Sequence, residues 1–300
     1  MINGIINVYK EKGYTSHDVV AKMRGILKMK KIGHTGTLDP DAEGVLPVCI
    51  GKGTKLVDLL TDKDKTYEAV LKLGITTDTQ DITGKILKTS EVTATKQEIE
   101  AVIKSFIGEY DQLPPMYSAI KVDGKKLYEL ARQGKEIERQ RRRVIIYDIR
   151  ILDYLDNENE VRVSVDCGKG TYIRTLLHDI GETLGCGGTM KSLLRTKVGG
   201  FRLEKALKLS EIQKLAEEDR IASYVIPVDV IFNGLSKVIV ASDYHKLIYN
   251  GNSFTSEHLS GEIDAVSSQR VRVYDSDGNF IGIYEYQSED GIYHPVKMFL

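Results

Sequence analysis

Apolar positions along the chain switch repeatedly between the two periods that distinguish strands from helices. Ile2–Lys10 is apolar and β-branched and predicts a strand. Val19, Val20, Met23, Ile26 and Leu27 then share one face of a helix that Ser16 would cap. Residues 31–47 hold Gly33, Gly36, Pro40, Gly44 and Pro47, a density of breakers that predicts an ordered loop rather than an element. Thr66–Leu73 alternates as a strand. A helix capped by Thr95 turns Ile99, Val102, Ile103 and Phe106 inward, and Gly108 closes it. The Asp-Gly pair in Val122–Lys125 signals a tight hairpin. Strands follow at Arg143–Tyr154 and Glu160–Cys167, joined by a polar turn over 156–159. Then come a helix over Tyr172–Leu184, a strand over Met190–Val198 and a last long helix capped by Ser210. Beyond about Leu235 the texture changes to short β-like runs with Gly and Asp turns. These elements predict an α+β domain of catalytic size, residues 1–235, and a small β-rich appendage, residues 236–300, with a linker near Asn233–Ser236.

Composition narrows the class. The chain of 300 residues is 41% hydrophobic, ample for a core, and no apolar run is long enough to span a membrane. The N-terminus shows no secretion signal. Cys49, Cys167 and Cys186 are widely spaced and form no CxxC pair, which fits free thiols in a cytoplasmic protein and supports neither a zinc knuckle nor a disulfide framework. The net charge of −1 says nothing about nucleic acid, but its distribution does. Residues 231–300 carry five basic and nine acidic side chains, a balance of −4, which leaves +3 for the rest. One basic tract is concentrated at Lys135, Arg139, Arg141, Arg142 and Arg143. It reads as a solvated segment or as a phosphate-contacting patch, and charge alone does not choose.

The glycine motifs mislead easily. Gly51-Lys52-Gly53-Thr54 lacks the upstream glycine of a P-loop, and Gly168-Lys169-Gly170 has Ile173 where a dinucleotide fingerprint needs its third glycine. The histidines show no metal-binding spacing. The loop Gly33–Pro40 is more informative. Pro40 pushes Asp39 towards extended geometry, and the glycines let backbone approach a ligand. On local physics alone, the plainer role for Asp39 is to cap its own turn. Likewise Tyr67 reads first as a core aromatic, and Arg174 as a partner for a surface carboxylate.

Taken together, seven stretches resemble the bacterial tRNA pseudouridine synthase B family. They are Gly33–Pro40 with Gly44–Pro47, Lys65–Tyr67, Thr77–Asp81, Pro115–Ala119, Gly124–Tyr128, Lys169–Thr175 and Leu194-Arg195. The match covers residues 2 to about 230. It implies a pseudouridine synthase fold, with a mixed, mostly antiparallel central sheet flanked by helices, and a C-terminal PUA-like RNA-binding unit. It implies isomerisation of the T-arm loop uridine, position 55 of tRNA, with the target base flipped out of its stack.

The resemblance also implies roles for single residues. Asp39 matches the catalytic aspartate that attacks the nucleotide, a carboxylate being an anion at neutral pH that needs no activating base. Arg174 matches the arginine that pairs with it and would hold it ionised and aimed. Tyr67 matches a tyrosine lying against the uracil and is a candidate for proton transfer. Tyr172 and Leu194 match pocket-lining residues, and His34 matches a histidine that helps displace the target base. Lys10, Gly36, Thr37 and Lys169 complete the expected substrate-binding set. The stretch 117–143 matches an insertion that grips the T-arm, which favours RNA contact for the basic tract. No cofactor or metal is expected, the partner is tRNA, and a cytoplasmic monomer without an obligate protein partner is implied. Two departures stand out: Tyr9-Lys10-Glu11 replaces the family's Asp-Lys-Pro, and Cys167-Gly168 replaces Cys-Ser. The rival reading is a non-catalytic tRNA-binding or RNA-chaperone protein on the same scaffold, which would be free to lose the set Asp39, Tyr67 and Arg174. A glycosidic-bond hydrolase is disfavoured because Asp39 and Asp41 are chain neighbours, not an opposed pair.

Overall fold

The computed structural model describes residues 2–118, 120–122, 124–155, 159–261 and 270–300. In chain order the first elements are β1 (Gly4–Lys10), α1 (Ser16–Leu27), β2 (Ile32–His34), β3 (Glu43–Ile50), α2 (Val57–Thr61), β4 (Lys65–Leu73), β5 (Ile75–Thr77) and β6 (Ile86–Thr89). There follow α3 (Lys96–Ser105), β7 (Gly108–Gln112), β8 (Lys121–Val122), β9 (Lys125–Lys126), α4 (Leu127–Arg132), β10 (Arg142–Leu155), β11 (Glu160–Cys167) and α5 (Ile173–Thr183). Next are β12 (Gly188–Val198), β13 (Phe201–Arg202) and α6 (Leu209–Glu217). The chain ends with β14 (Ser236–Val240), α7 (His245–Tyr249), β15 (Phe254–Thr255), β16 (Arg270–Asp275), β17 (Phe280–Gln287) and β18 (Ile292–Met298).

Among the described residues, nine strands form one sheet ordered β1-β3-β12-β4-β11-β10-β7, with β2 added on β3 and β13 on β12. Only β3 and β12 run parallel; every other pair is antiparallel. The strict alternation of β4 explains its position. Lys65, Tyr67, Ala69, Leu71 and Leu73 are buried, while Thr66, Glu68, Val70 and Lys72 are half-buried. The buried set packs with Ile99 and Ile103 of α3 and with Ile173, Leu176, Leu177 and Ile180 of α5. A second cluster joins Val19, Val20 and Met23 of α1 and Ile212 of α6 to Ile6, Val8, Leu46 and Val48 of β1 and β3. The five-stranded second sheet has the order β14-β16-β17-β18-β15.

Several local expectations need correction. The breaker-rich stretch 31–47 contains β2 and most of β3. Pro47 lies within β3 opposite Asn7, and lacking an N–H it offers the ladder only its carbonyl, which accepts from Thr35 N and Oγ1 at 3.1 and 3.2 Å. The cap of α1 is Thr15, which exchanges hydrogen bonds with Asp18 three residues on, so Ser16 is the first helical residue. The helix assigned to a Ser210 cap starts at Leu209, and the Glu211 carboxylate accepts from Lys208 N–H at 2.7 Å. The hairpin residue Asp123 and the turn residues 156–158 lie outside the described residues. The expected linker is no free tether: Ile283 and Phe299 of the C-terminal segment bury themselves among Ile5, Val45, Cys49, Leu56, Leu60, Val198 and Phe201. Lys55 adds hydrogen bonds to the Met298 and Leu300 carbonyls at 3.0 and 3.4 Å.

Candidate active site

The loop between β2 and β3 is pinned along its length by its own backbone. Gly36 takes φ +81°, a left-handed value that glycine adopts without strain. Leu38 is buried and its N–H donates to Ser16 Oγ at 3.0 Å. The Asp39 carbonyl accepts from Ala42 N–H at 3.1 Å and closes a turn, and the Pro40 carbonyl accepts from Gly13 N–H at 2.9 Å. Lys10 is fully buried beneath, and its ammonium donates to the carbonyls of Glu11, Pro40 and Ala42 at 3.2, 3.0 and 2.5 Å. The expectation that Lys10 binds substrate is therefore corrected. Its donors are directed at loop carbonyls, so it positions the loop.

The turn leaves the Asp39 carboxylate free of its own backbone. Arg174, at the start of α5, reaches both its oxygens with one guanidinium nitrogen at 3.1 and 3.2 Å. The same nitrogen donates to the Tyr117 carbonyl at 2.8 Å, and the other terminal nitrogen faces Asp81 at 3.5 Å. Asp81 is the site residue whose role sequence reasoning missed. It belongs to a matched motif, but only the fold brings its carboxylate to Arg174. Burial pushes the Asp39 carboxyl above the ordinary carboxylate range; Arg174 pulls it down, while Asp81 pushes it further up. Pairing alone was expected to hold this carboxylate low, and here burial outweighs it. The Asp39 side chain nonetheless keeps 41% of its exposure, so its oxygens are accessible to a ligand.

Tyr67 lies opposite Arg195 across the β4–β12 pair. Burial raises its phenol, which stays protonated at neutral pH, and Arg195 opposes that shift. Arg195 is fully buried, donating to the Val45 carbonyl at 2.7 Å and the Gly36 carbonyl at 3.2 Å. It thus ties the Tyr67 strand to the Asp39 loop. The sequence marks it as half of the matched Leu194-Arg195 stretch but gives it no role. Gly44 is needed beside it, because a Cβ there would stand 2.2 Å from the Arg195 carbonyl oxygen.

Strand register corrects another expectation. Leu193 pairs with Ala69 and packs against the cluster that contains Tyr67, whereas Leu194 pairs with Glu68 on the other face. Leu193, not Leu194, shares the face of Tyr67 and Arg195. Tyr172 caps α5, half-buried, with its phenol raised by burial. His34 packs edge-on against His17 at 5.1 Å between ring centres, and burial with those two neighbours, His17 and Arg195, pushes it down to about 4. At neutral pH it is a neutral ring. Thr37 is exposed beside Asp39, and Lys169 is exposed in an ion pair with Asp62 at 2.8 Å.

The basic tract is partly engaged by the protein itself. Arg139 donates to the Pro114 carbonyl, Arg141 to the Asp111 carbonyl, and Arg143 pairs with Asp111 and Glu109. The Arg143 pairs are exposed and therefore weak, whereas Arg139 is largely buried. Among the described residues, the one group spaced for a cation is His245, Asp275 and Asp277, in the second sheet. There Asp275 accepts from Tyr249, Asp277 and Asn279, and His245 Nε2 accepts from Ser276 N–H. These contacts secure a turn.

A mixed sheet that presents a carboxylate loop to an arginine at a helix start is the architecture of RNA pseudouridine synthases. A solved Cbf5–Nop10–Gar1 complex superposes with TM-score 0.71 at 27% identity, covering 99% of this chain and 85% of that one. An H/ACA ribonucleoprotein bound to a substrate RNA containing 2′-deoxyuridine gives 0.70 at 25% identity, with the same coverages. Residues 24–173 match the N-terminal domain of the TruB family of pseudouridylate synthases, and 174–233 match the tRNA pseudouridylate synthase B C-terminal domain. The tRNA pseudouridine synthase B of Lachnoclostridium phytofermentans is 57% identical over the full length of both chains. That of Alkaliphilus oremlandii is 50% identical over 96% of this chain and 95% of its own. The chain belongs to the TruB family.

Proposed function

We propose that this chain is a tRNA pseudouridine synthase that converts the T-arm loop uridine, position 55, to pseudouridine, with Asp39 as nucleophile. The observation that carries the assignment is the Arg174 contact to both Asp39 oxygens on a loop locked at its carbonyls. In the reaction the C1′–N1 bond breaks and a C1′–C5 bond forms. The C5 proton leaves and N1 gains one, so atoms and electrons balance without a redox partner. Asp39 bonds to the nucleotide transiently and is released; Arg174 neutralises and aims it. Tyr67, with a protonated phenol, is placed to lie against the extruded uracil and move a proton. Tyr172 and Leu193 would line the pocket, and neutral His34 would fill the space the base vacates. The stretch 117–143 and the 236–300 unit would hold the folded T-arm in place, in a protein acting as a cytoplasmic monomer. Among the described residues no helix is long and apolar enough to cross a membrane.

The experiment is to incubate the protein with unmodified tRNA transcript, and with an isolated T-arm hairpin, and to map pseudouridine. Product at the T-loop uridine of both RNAs is expected, and Asp39→Asn should abolish it while RNA binding persists. Binding without product by the parent protein would favour the RNA-chaperone reading instead.

A further inference from the structure

Gln112 ends edge strand β7 and is buried there, although nothing in its strand requires a buried amide. Its carboxamide faces the backbone of Tyr172. Nε2 donates to the Tyr172 carbonyl at 2.9 Å, and Tyr172 N–H donates to Oε1 at 2.8 Å. This reciprocal pair is what a peptide group would make in an antiparallel ladder, supplied here by a side chain. Tyr172 is the cap of α5 and has no side-chain cap of its own. Its carbonyl also receives the first helical bond, from Leu176 N–H at 3.1 Å.

The segment that leaves Gln112 touches the same helix start again. Five residues on, the Tyr117 carbonyl accepts from Arg174. Between the two contacts stand Pro114 and Pro115, both buried, each with its φ fixed by the ring. The stretch 112–117 is therefore a stiff brace with one contact on Tyr172 and one on the guanidinium that meets Asp39. It also leads directly into the insertion proposed to hold RNA.

We infer that Gln112 is a positioning residue for the reaction: by holding the Tyr172 backbone it fixes the start of α5, and with it the delivery of Arg174 to Asp39. The inference rests on the roles of Asp39 and Arg174 proposed above. Without the amide, Tyr172 N–H loses its partner and the first turn of α5 is free to drift from the loop. Small displacements of a reacting group cost on the order of 10–100-fold in rate.

The test compares Gln112→Ala and Gln112→Glu with Val144→Ala. Gln112→Glu keeps the shape and the acceptor but sets an oxygen against the Tyr172 carbonyl. Val144 is buried on β10 opposite Tyr110 of β7, so its truncation loosens the same strand pair but removes neither Gln112–Tyr172 hydrogen bond. Single-turnover rate at saturating T-arm RNA, dissociation constant, melting temperature and the pH–rate profile are measured for each. Both Gln112 variants should lose about tenfold or more in rate, in line with a displaced reacting group, with binding within about threefold. The charged groups facing Asp39 are Arg174 from α5, Asp81 from the loop after β5, Lys10 from β1 and Asp41 from its own loop. Retreat of Arg174 leaves burial less opposed, so the acid limb of the profile should also move to higher pH. Val144→Ala should lose melting temperature but keep its rate and its limb.

Rates within twofold of the parent for either folded Gln112 variant would overturn the inference. So would a loss shared equally by Val144→Ala with no movement of the limb, or a collapse of binding with the rate intact. An active parent with an inactive Asp39→Asn variant would keep the functional reading standing even if Gln112 failed.

Discussion

Replacing Phe299 by alanine tests how the C-terminal sheet is joined to the body that carries the site. Phe299 is buried, with its ring 5.8 Å from Phe232 and 5.4 Å from Phe280. Its cluster includes Ile5, Val45 and Val198, which belong to β1, β3 and β12, the strands that support the Asp39 loop and Arg195. Truncating a buried Phe to Ala costs about 3–5 kcal/mol, cavity included. Its two ring neighbours bring about 0.5–1.5 kcal/mol each beyond area burial, part of which that range already contains. Against a total stability of about 5–15 kcal/mol, this is a substantial fraction of the whole. Denaturant unfolding followed by two probes reads the outcome, one probe near Tyr67 and one in the second sheet. If the sheets form one cooperative unit, both probes should shift to a lower midpoint together. The rate at saturating tRNA should hold wherever the variant is folded. The consequence for truncation is direct: residues 1–235 alone would lose both Ile283 and Phe299 and expose the apolar patch that they cover. A midpoint unchanged at the Tyr67 probe, or a soluble 1–235 fragment melting like the full chain, would refute the coupling.

Further outcomes follow from the site. Arg174→Lys replaces directed contacts to three partners by one point charge that cannot serve Asp39, Asp81 and the Tyr117 carbonyl together. The single-turnover rate should fall by about 100-fold or more with binding kept, about 2.7 kcal/mol at 1.36 kcal/mol per tenfold; a near-parental rate would show the contacts to be dispensable. Because the Asp39 carboxyl is raised by burial and must be ionised to attack, the rate should be lost as pH falls through that raised value. An acid limb at or below the ordinary aspartate range in a pH–rate profile would contradict this. Lys10→Met keeps the aliphatic stem and removes the donors to three carbonyls, each charged bond worth about 1.5–3 kcal/mol. Relief from burying an ammonium offsets much of that loss in stability, so melting should change little while the rate falls at least about tenfold through loop displacement. Leu193→Ala should impair turnover more than Leu194→Ala, and the reverse order in parallel assays would restore the expectation drawn from the motif.

Strong periodicity made much of this fold readable in advance. The inward faces of α1, α3 and α5 and the alternation of β4, β10 and β11 lie where their apolar spacing put them. The stretch 31–47 misled because Pro47 and two glycines stop a strand only when their neighbours need what those residues lack. Here β1, β2 and Thr35 ask Pro47 for its carbonyl alone. The Leu193–Leu194 error is of another kind: a motif fixes a position to within a residue, but in a strand one residue is the difference between two faces. Resemblance supplied roles for Asp39, Tyr67 and Arg174, whereas it marked Arg195 only as half of the Leu194-Arg195 motif and Gln112 not at all, although both are buried polar side chains with backbone partners. A buried arginine facing carbonyls leaves no pattern in a sequence. Its partners lie 150 and 159 positions away and meet it only through strand register.

The way Lys10 and Arg195 hold the Asp39 loop bears on how such an enzyme can change over generations. Both cations donate their hydrogen bonds to peptide oxygens, which every amino acid supplies, and to no side chain between Gly36 and Ala42. Thr37, Pro40 and Asp41, exposed on that loop, are thus loosely coupled to the frame that aims the nucleophile. With Thr37 in the substrate-binding role proposed for it, exchanges there would alter recognition while the carboxylate keeps its place. A lineage, or a designer, has room there to retune recognition in small viable steps, provided that the two hidden cations and the glycines that admit them are left alone.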